Sequence, residues 1–147
     1  MTEKHLQETC FNPYLAKAYS YVRDTEKMIE VVEENYHRNP DYLFAKINYA
    51  QICLQRGKIH KIPTILDNKF DLKMLYPERN EFHALEAVSF FGMLGIYFLK
   101  IDDMDQSKHM LMILEAIDPD AEMTKELKKQ IRVAKRLNAA KKWLKMR

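Results

Sequence analysis

The apolar positions of the C-terminal segment, Met123, Leu127, Ile131, Ala134, Leu137, Ala140 and Leu144, recur every three or four residues, with Lys and Arg between them. That period places them along one side of a helix, with the charges on the others. Upstream, helix-forming Leu, Met, Ala, Glu and Lys are broken by only three Gly and five Pro in the whole chain. The pattern predicts helices over about 13–22, 25–38, 42–56, 59–67, 80–100, 104–117 and 120–146, an all-α chain. Local signals set the boundaries. Asn12-Pro13 reads as an N-cap and first helical residue, and Asp24 as the cap of the second helix. Gly57 marks a turn, Asp103–Gln106 has the form of a capping box, and Asp118-Pro119 opens the last helix.

These helices carry a repeat. Phe91-x2-Leu94-Gly95-x2-Phe98 is followed by Ser107-x3-Leu111 and Pro119. Seventy-nine residues earlier stand Asn12-x2-Leu15-Ala16-x2-Tyr19, Met28-x3-Val32 and Pro40, position for position. A third copy lies between them: Lys46-x2-Tyr49-Ala50-x2-Cys53, then Gly57, then Ile62-x3-Leu66. A small residue beside Leu lets two helices approach closely, an aromatic one turn later fills the gap, and Pro ends the second helix. In this order and spacing the segment 9–121 resembles the tetratricopeptide repeat family.

The resemblance implies a right-handed α-solenoid of three antiparallel helix pairs, with repeats at about 9–42, 43–87 and 88–121. Residues 122–147 then form a capping helix that covers the last apolar face. Two departures stand out. No unit has Trp at its first signature position, and Lys46 to Phe91 spans 45 residues where 34 would be regular. The surplus is expected as an insertion within 68–79, after a shortened helix that carries Pro63. Residues 1–147 are read as one domain.

Net charge is +3, but it is unevenly distributed. Residues 122–147 hold ten Lys/Arg against Glu122 and Glu126, whereas 1–121 hold fourteen against nineteen acids. An acidic body thus carries a basic tail helix. With 47% hydrophobic and 31% charged residues the composition is that of a folded globular domain. The N-terminus has no apolar signal segment, and the most apolar stretch, 87–99, is too short to span a bilayer. A cytoplasmic protein is expected. Cys10 and Cys53 then stay as reduced, packed thiols; the other reading is a single disulfide.

Motifs for chemistry are sparse. Gly57, Gly92 and Gly95 cannot build a phosphate loop, and there is no Gly-x-Ser-x-Gly, His-Glu-x-x-His or Cys-x-x-Cys. His83-x-x-Glu86 and Glu33-x-x-x-His37 each place two potential metal ligands on one helix face, without an evident third. Cys53 occupies a packing position of the repeat. No catalytic residue, metal site or cofactor is expected.

What the family resemblance implies instead is a concave groove lined by the first helix of each pair. Its positions fall on Tyr14, Lys17 and Tyr21, on Asn48, Gln51 and Gln55, and on Ser89, Met93, Ile96 and Lys100. Family members that clamp a C-terminal carboxylate use Lys and Asn, then Asn, then Lys and Arg; only Asn48 matches that set. Pro13, Lys17, Ser89 and Met93 fill the other places, so a carboxylate clamp is not expected. Amides can bond an extended peptide, and Met and aromatics adapt to apolar side chains. Two readings stand: a peptide groove, or one filled by the chain's own last helix or insertion. The basic helix has three: a solvated cap, a contact for an acidic protein, or a contact for nucleic acid or an anionic membrane. Trp143 serves in them as an anchor or as a lid on the apolar stripe. The function these features point to is protein–protein interaction, as adaptor, assembly factor or chaperone-like holder, with polyanion binding through the tail as the alternative.

Overall fold

A computed structural model describes residues 25–146. These are all-α, with no strand among the described residues. The helices are α1 (Thr25–Arg38), α2 (Leu43–Gln55), α3 (Ile62–Ile65), α4 (Leu72–Leu75), α5 (Ala84–Lys100), α6 (Met104–Ile117) and α7 (Glu122–Lys145), with a 3-10 turn at Ile59–Lys61. The helix expected over 13–22, with Leu15 and Ala16, and the caps at Asn12 and Asp24 lie outside the described residues. Two compact units divide the chain, Met1–Asn68 and Lys69–Arg147.

In the first unit, α1 is acidic outside and half-buried at Met28, Ile29, Val31 and Val32. It packs on α2, where Tyr36 stacks on Tyr49 with ring centroids 4.7 Å apart. Pro40 follows the end of α1, where the Asn39 amide donates to the Asn35 carbonyl at 2.8 Å. Gly57, at φ +72°, ends α2 in a left-handed turn: Lys58 N–H reaches back to the Cys53 carbonyl and Gly57 N–H to that of Leu54. The helix expected over 59–67 is only the 3-10 turn followed by α3. Asp67 and Asn68, both at positive φ, terminate it. Lys46 at the first signature position is buried, and its Nζ donates to the Ile65 carbonyl at 3.0 Å, 4.0 Å from an Asp67 carboxylate oxygen. An ammonium at the C-terminal end of α3 meets orphan carbonyls and the negative end of the helix dipole, so its burial is satisfied.

The second unit begins with the insertion, which is folded. Asp71 caps α4 by accepting from the amides of Lys73 and Met74. Leu72 is buried, and Phe70 stacks on Tyr97 at 5.8 Å. Lys73 Nζ draws the loop together by donating to the carbonyls of Pro77 and Arg79. Arg79 lies over the Phe82 ring and donates twice to Glu86, at 3.1 and 2.9 Å. Glu86 also accepts the His83 amide at 2.9 Å, so α5 starts at Ala84 and not near 80 as expected. Burial alone would raise the Glu86 pKa, but the Arg79 and His83 hydrogen bonds bring it below the ordinary carboxylate value. A depressed folded pKa contributes stability above the unfolded pKa that is lost as pH falls through the folded one. Glu86→Gln should therefore cost roughly 1–2 kcal/mol at neutral pH, because Arg79 remains partly exposed. In thermal melts across acid pH the gap between wild type and variant should close below the ordinary Glu range. A gap that persisted unchanged at low pH would assign the loss to packing.

A turn at 101–103 folds α6 back along α5, with Asp102 at φ +61° in the role Gly57 plays after α2. Asp103 accepts the Gln106 amide, one half of the expected capping box. Ser107 is fully buried and donates Oγ to the Gly95 carbonyl at 2.8 Å, so the small signature residue marks the α5–α6 contact. Gly95 itself faces elsewhere. A Cβ on Gly92 would overlap Met123, and one on Gly95 would overlap both methyl carbons of Leu127. The glycines thus admit α7, running parallel to α5, where the signature led us to expect closeness to α6. Asp118-Pro119 is a turn and not the first turn of α7: Asp118 accepts the Asp120 amide, and its carbonyl accepts from Thr124 Oγ1. The helix begins at Glu122, two residues later than the expected 120.

Candidate partner-binding surfaces

Thirteen residues form α2, and ten of them are buried. The three that are not are Asn48 and Gln51, half-buried, and Gln55, exposed. At 100° per residue they fall within an arc of roughly 60°. A helix apolar on nearly every side therefore opens along a single row, and that row consists of amides. Such a row can donate to and accept from the backbone of an extended chain without competing with an apolar core.

On α5 the corresponding row is mostly closed. Ser89 and Met93 are 8% and 1% exposed and out of reach from solvent; Ile96 is half-buried and Lys100 exposed, so the row opens only at its last turn. Tyr14, Lys17 and Tyr21 lie outside the described residues. The open members are thus Asn48, Gln51 and Gln55 on α2, and Ile96 and Lys100 on α5.

The third surface is the distal part of α7. Leu127 and Ile131 are buried and Met123 and Ala134 half-buried, as the apolar stripe requires. From Arg132 to Met146 every other residue is exposed, including Val133, Leu137 and Leu144. Met123 opposes Gly92 and Leu127 opposes Gly95, so α7 passes the end of α5 near residue 132 and continues beyond it. Leu137, Ala140 and Leu144 therefore do not cover the third helix pair, and Trp143, 55% exposed, is no full lid on the stripe.

The groups with chemistry to offer have structural partners. Glu86 is taken by Arg79 and the His83 amide, and His37 sits 3.9 Å from Glu33 on the exposed side of α1. Among the described residues no three His, Cys, Asp or Glu side chains cluster in a way that could hold a metal ion. Cys53 is buried, and burial pushes its thiol pKa up, which opposes thiolate formation. Tyr49 is held between the Lys61 ammonium at 3.4 Å and the Glu33 carboxylate at 3.5 Å. No described helix is long and apolar enough to cross a membrane. Comparison with protein-family models, curated proteins and solved structures finds no match to this chain.

Proposed function

We propose that this protein is a protein-interaction module, an α-solenoid of tetratricopeptide type that holds a partner polypeptide as an adaptor, assembly factor or chaperone-like holder. The observation that carries the reading is the amide row of α2. The family resemblance implies a binding face that includes Asn48, Gln51 and Gln55, and those three are the residues of α2 that are not buried. The repeat at a 79-residue offset supports the same assignment. An extended segment lying along the row gains backbone hydrogen bonds from the amides and apolar contact from its neighbours.

Asn48→Ala with Gln51→Ala tests this directly. Two hydrogen bonds at about 1 kcal/mol each imply a partner affinity weakened roughly ten- to thirtyfold. Both side chains are half-buried, so circular dichroism of the variant is read alongside and should remain that of the folded helical protein. Affinity capture with wild type and variant side by side, quantified by mass spectrometry, reads the result; undiminished capture by the variant would refute the α2 surface.

Polyanion binding is a second reading, favoured by one observation: the exposed end of α7 has no acidic residue after Glu126 and nine Lys/Arg. Nucleic acid bound there would be released steeply with salt.

A further inference from the structure

We infer that the projecting end of α7 is a docking seam for an acidic amphipathic helix of a partner protein. Val133, Leu137, Ala140 and Leu144 are all exposed and spaced four, three and four residues apart. On a helix they occupy an arc of roughly 60°, rotated roughly 100° from the buried stripe of Met123, Leu127, Ile131 and Ala134. This is a second apolar face, not the edge of the first. Its spacing is that of alternating d and a positions, the narrow seam by which one helix meets another.

The flanking charge decides the occupant. Arg136 and Lys141 fall at the g and e positions on either side of the seam, and the segment from Leu127 to Arg147 holds nine basic residues and no acid. A partner with Glu or Asp at its own e and g positions pairs with both flanks, whereas a second copy of α7 would set cation against cation. An interfacial membrane helix uses an unbroken apolar face of roughly 100° or more, whereas here Arg136 interrupts the arc between Ala140 and Trp143. Nucleic acid would use the lysines and arginines but leave Leu137 and Leu144 in water. The inference shares with the proposed function only the premise that the chain binds protein; it concerns a different surface from the α2 row.

The probe is a fluorescent synthetic helix of three heptads with Leu at a and d and Glu at e and g. Two control peptides accompany it, one with Ala at a and d, the other with Lys at e and g. The intact protein should bind the acidic Leu peptide saturably and neither control measurably. Leu137→Asp with Leu144→Asp should weaken binding at least tenfold, and because both residues are more than half exposed the circular dichroism and melting midpoint should not change. Raising salt to about 0.5 M should weaken it several-fold. The Asn48→Ala, Gln51→Ala variant should bind the peptide normally, which separates failure of this seam from failure of the α2 row. Four results would each overturn the inference: no binding, binding indifferent to the Asp substitutions, equal binding of the Ala peptide (a polyanion site), or a dimer in solution that the Asp substitutions dissolve (a second copy). Tighter, substitution-sensitive binding to phosphatidylserine vesicles than to the peptide would move the seam to a membrane and equally end the proposal.

Discussion

Removing residues 122–147 is expected to convert the protein into an aggregating species, while removing only 133–147 leaves it folded. The two deletions differ in a short stretch that contains every buried residue of α7: Thr124, Leu127 and Ile131. Leu127 is fully buried, Ile131 is 4% exposed, and Met123 closes over Gly92. At roughly 1.5–3 kcal/mol for each buried aliphatic side chain, the lost contacts amount to several kcal/mol, against a total domain stability of about 5–15 kcal/mol. Truncation uncovers Gly92, Gly95 and the side chains packed around them on α5, an apolar surface of the kind that drives association. Beyond residue 132, Ala134 alone is half-buried and the rest are exposed, so the shorter deletion removes almost nothing that the fold uses. Size-exclusion chromatography with light scattering and thermal denaturation would read both. A soluble, monomeric fragment of residues 1–121 with an unchanged midpoint would refute the capping role of α7.

A second large effect is expected at Gly95. Gly95→Leu puts a side chain into space held by the methyl carbons of Leu127, and overpacking of this kind costs about 1–3 kcal/mol. That loss is net of the gain of nearly 1 kcal/mol in helix propensity from removing a glycine. Leu127→Ala alone leaves a cavity and should cost about 2–5 kcal/mol. Combined, the substitutions partly compensate, because the added side chain enters the vacated volume. The double variant should therefore be more stable than the sum of the two losses by about 0.5–3 kcal/mol. Met110→Ala on α6, buried and not among the atoms nearest a Gly95 Cβ, serves as the control and should combine additively with Gly95→Leu. Additivity with Leu127→Ala and coupling with Met110→Ala would place Gly95 against α6, as the repeat signature alone had led us to expect.

That misplacement shows where sequence reasoning ended. Periodicity and caps located α1, α2, α5, α6 and α7 to within a few residues, because each is long and flanked by Pro, Gly or Asp. The fold class needed nothing more. Helix α4 has only four residues, too few for a period to register, although Asp71 was a cap signal in plain view. The start of α5 was read early because no helical propensity rule foresees Arg79 reaching Glu86 across a turn. Ser107 holds the α5–α6 contact through the Gly95 carbonyl, a place the sequence pattern gave to the Gly95 side of the helix next to Leu94. A sequence pattern says that some helix comes close; it does not say which.

The candidate surfaces divide in the same way. On α2 the carried-over positions are the open ones, since a helix buried on every other face leaves only one row. On α5 the same positions include Ser89 and Met93, which are buried, and no spacing rule reports what covers a residue from outside its own helix. The drift along α7 was legible in principle. From Ile131 to Ala140 the chosen positions advance by threes, and each such step turns back about 60° on an α-helix. The apolar line therefore leaves the buried face and winds onto the exposed one, although counting every third or fourth residue makes it look like one stripe.

The anchoring of α7 has a mechanical corollary. It is gripped at Gly92 and Gly95, and its residues beyond Ala134 are exposed. From Leu127 to Lys145 the helix runs roughly 27 Å at 1.5 Å per residue, and a 10° swing about the grip displaces its tip by about 5 Å. Two glycines and the side chains that fill them thus act as a fulcrum, and a sub-ångström adjustment at Met123 or Leu127 is amplified several-fold at the far end of the lever.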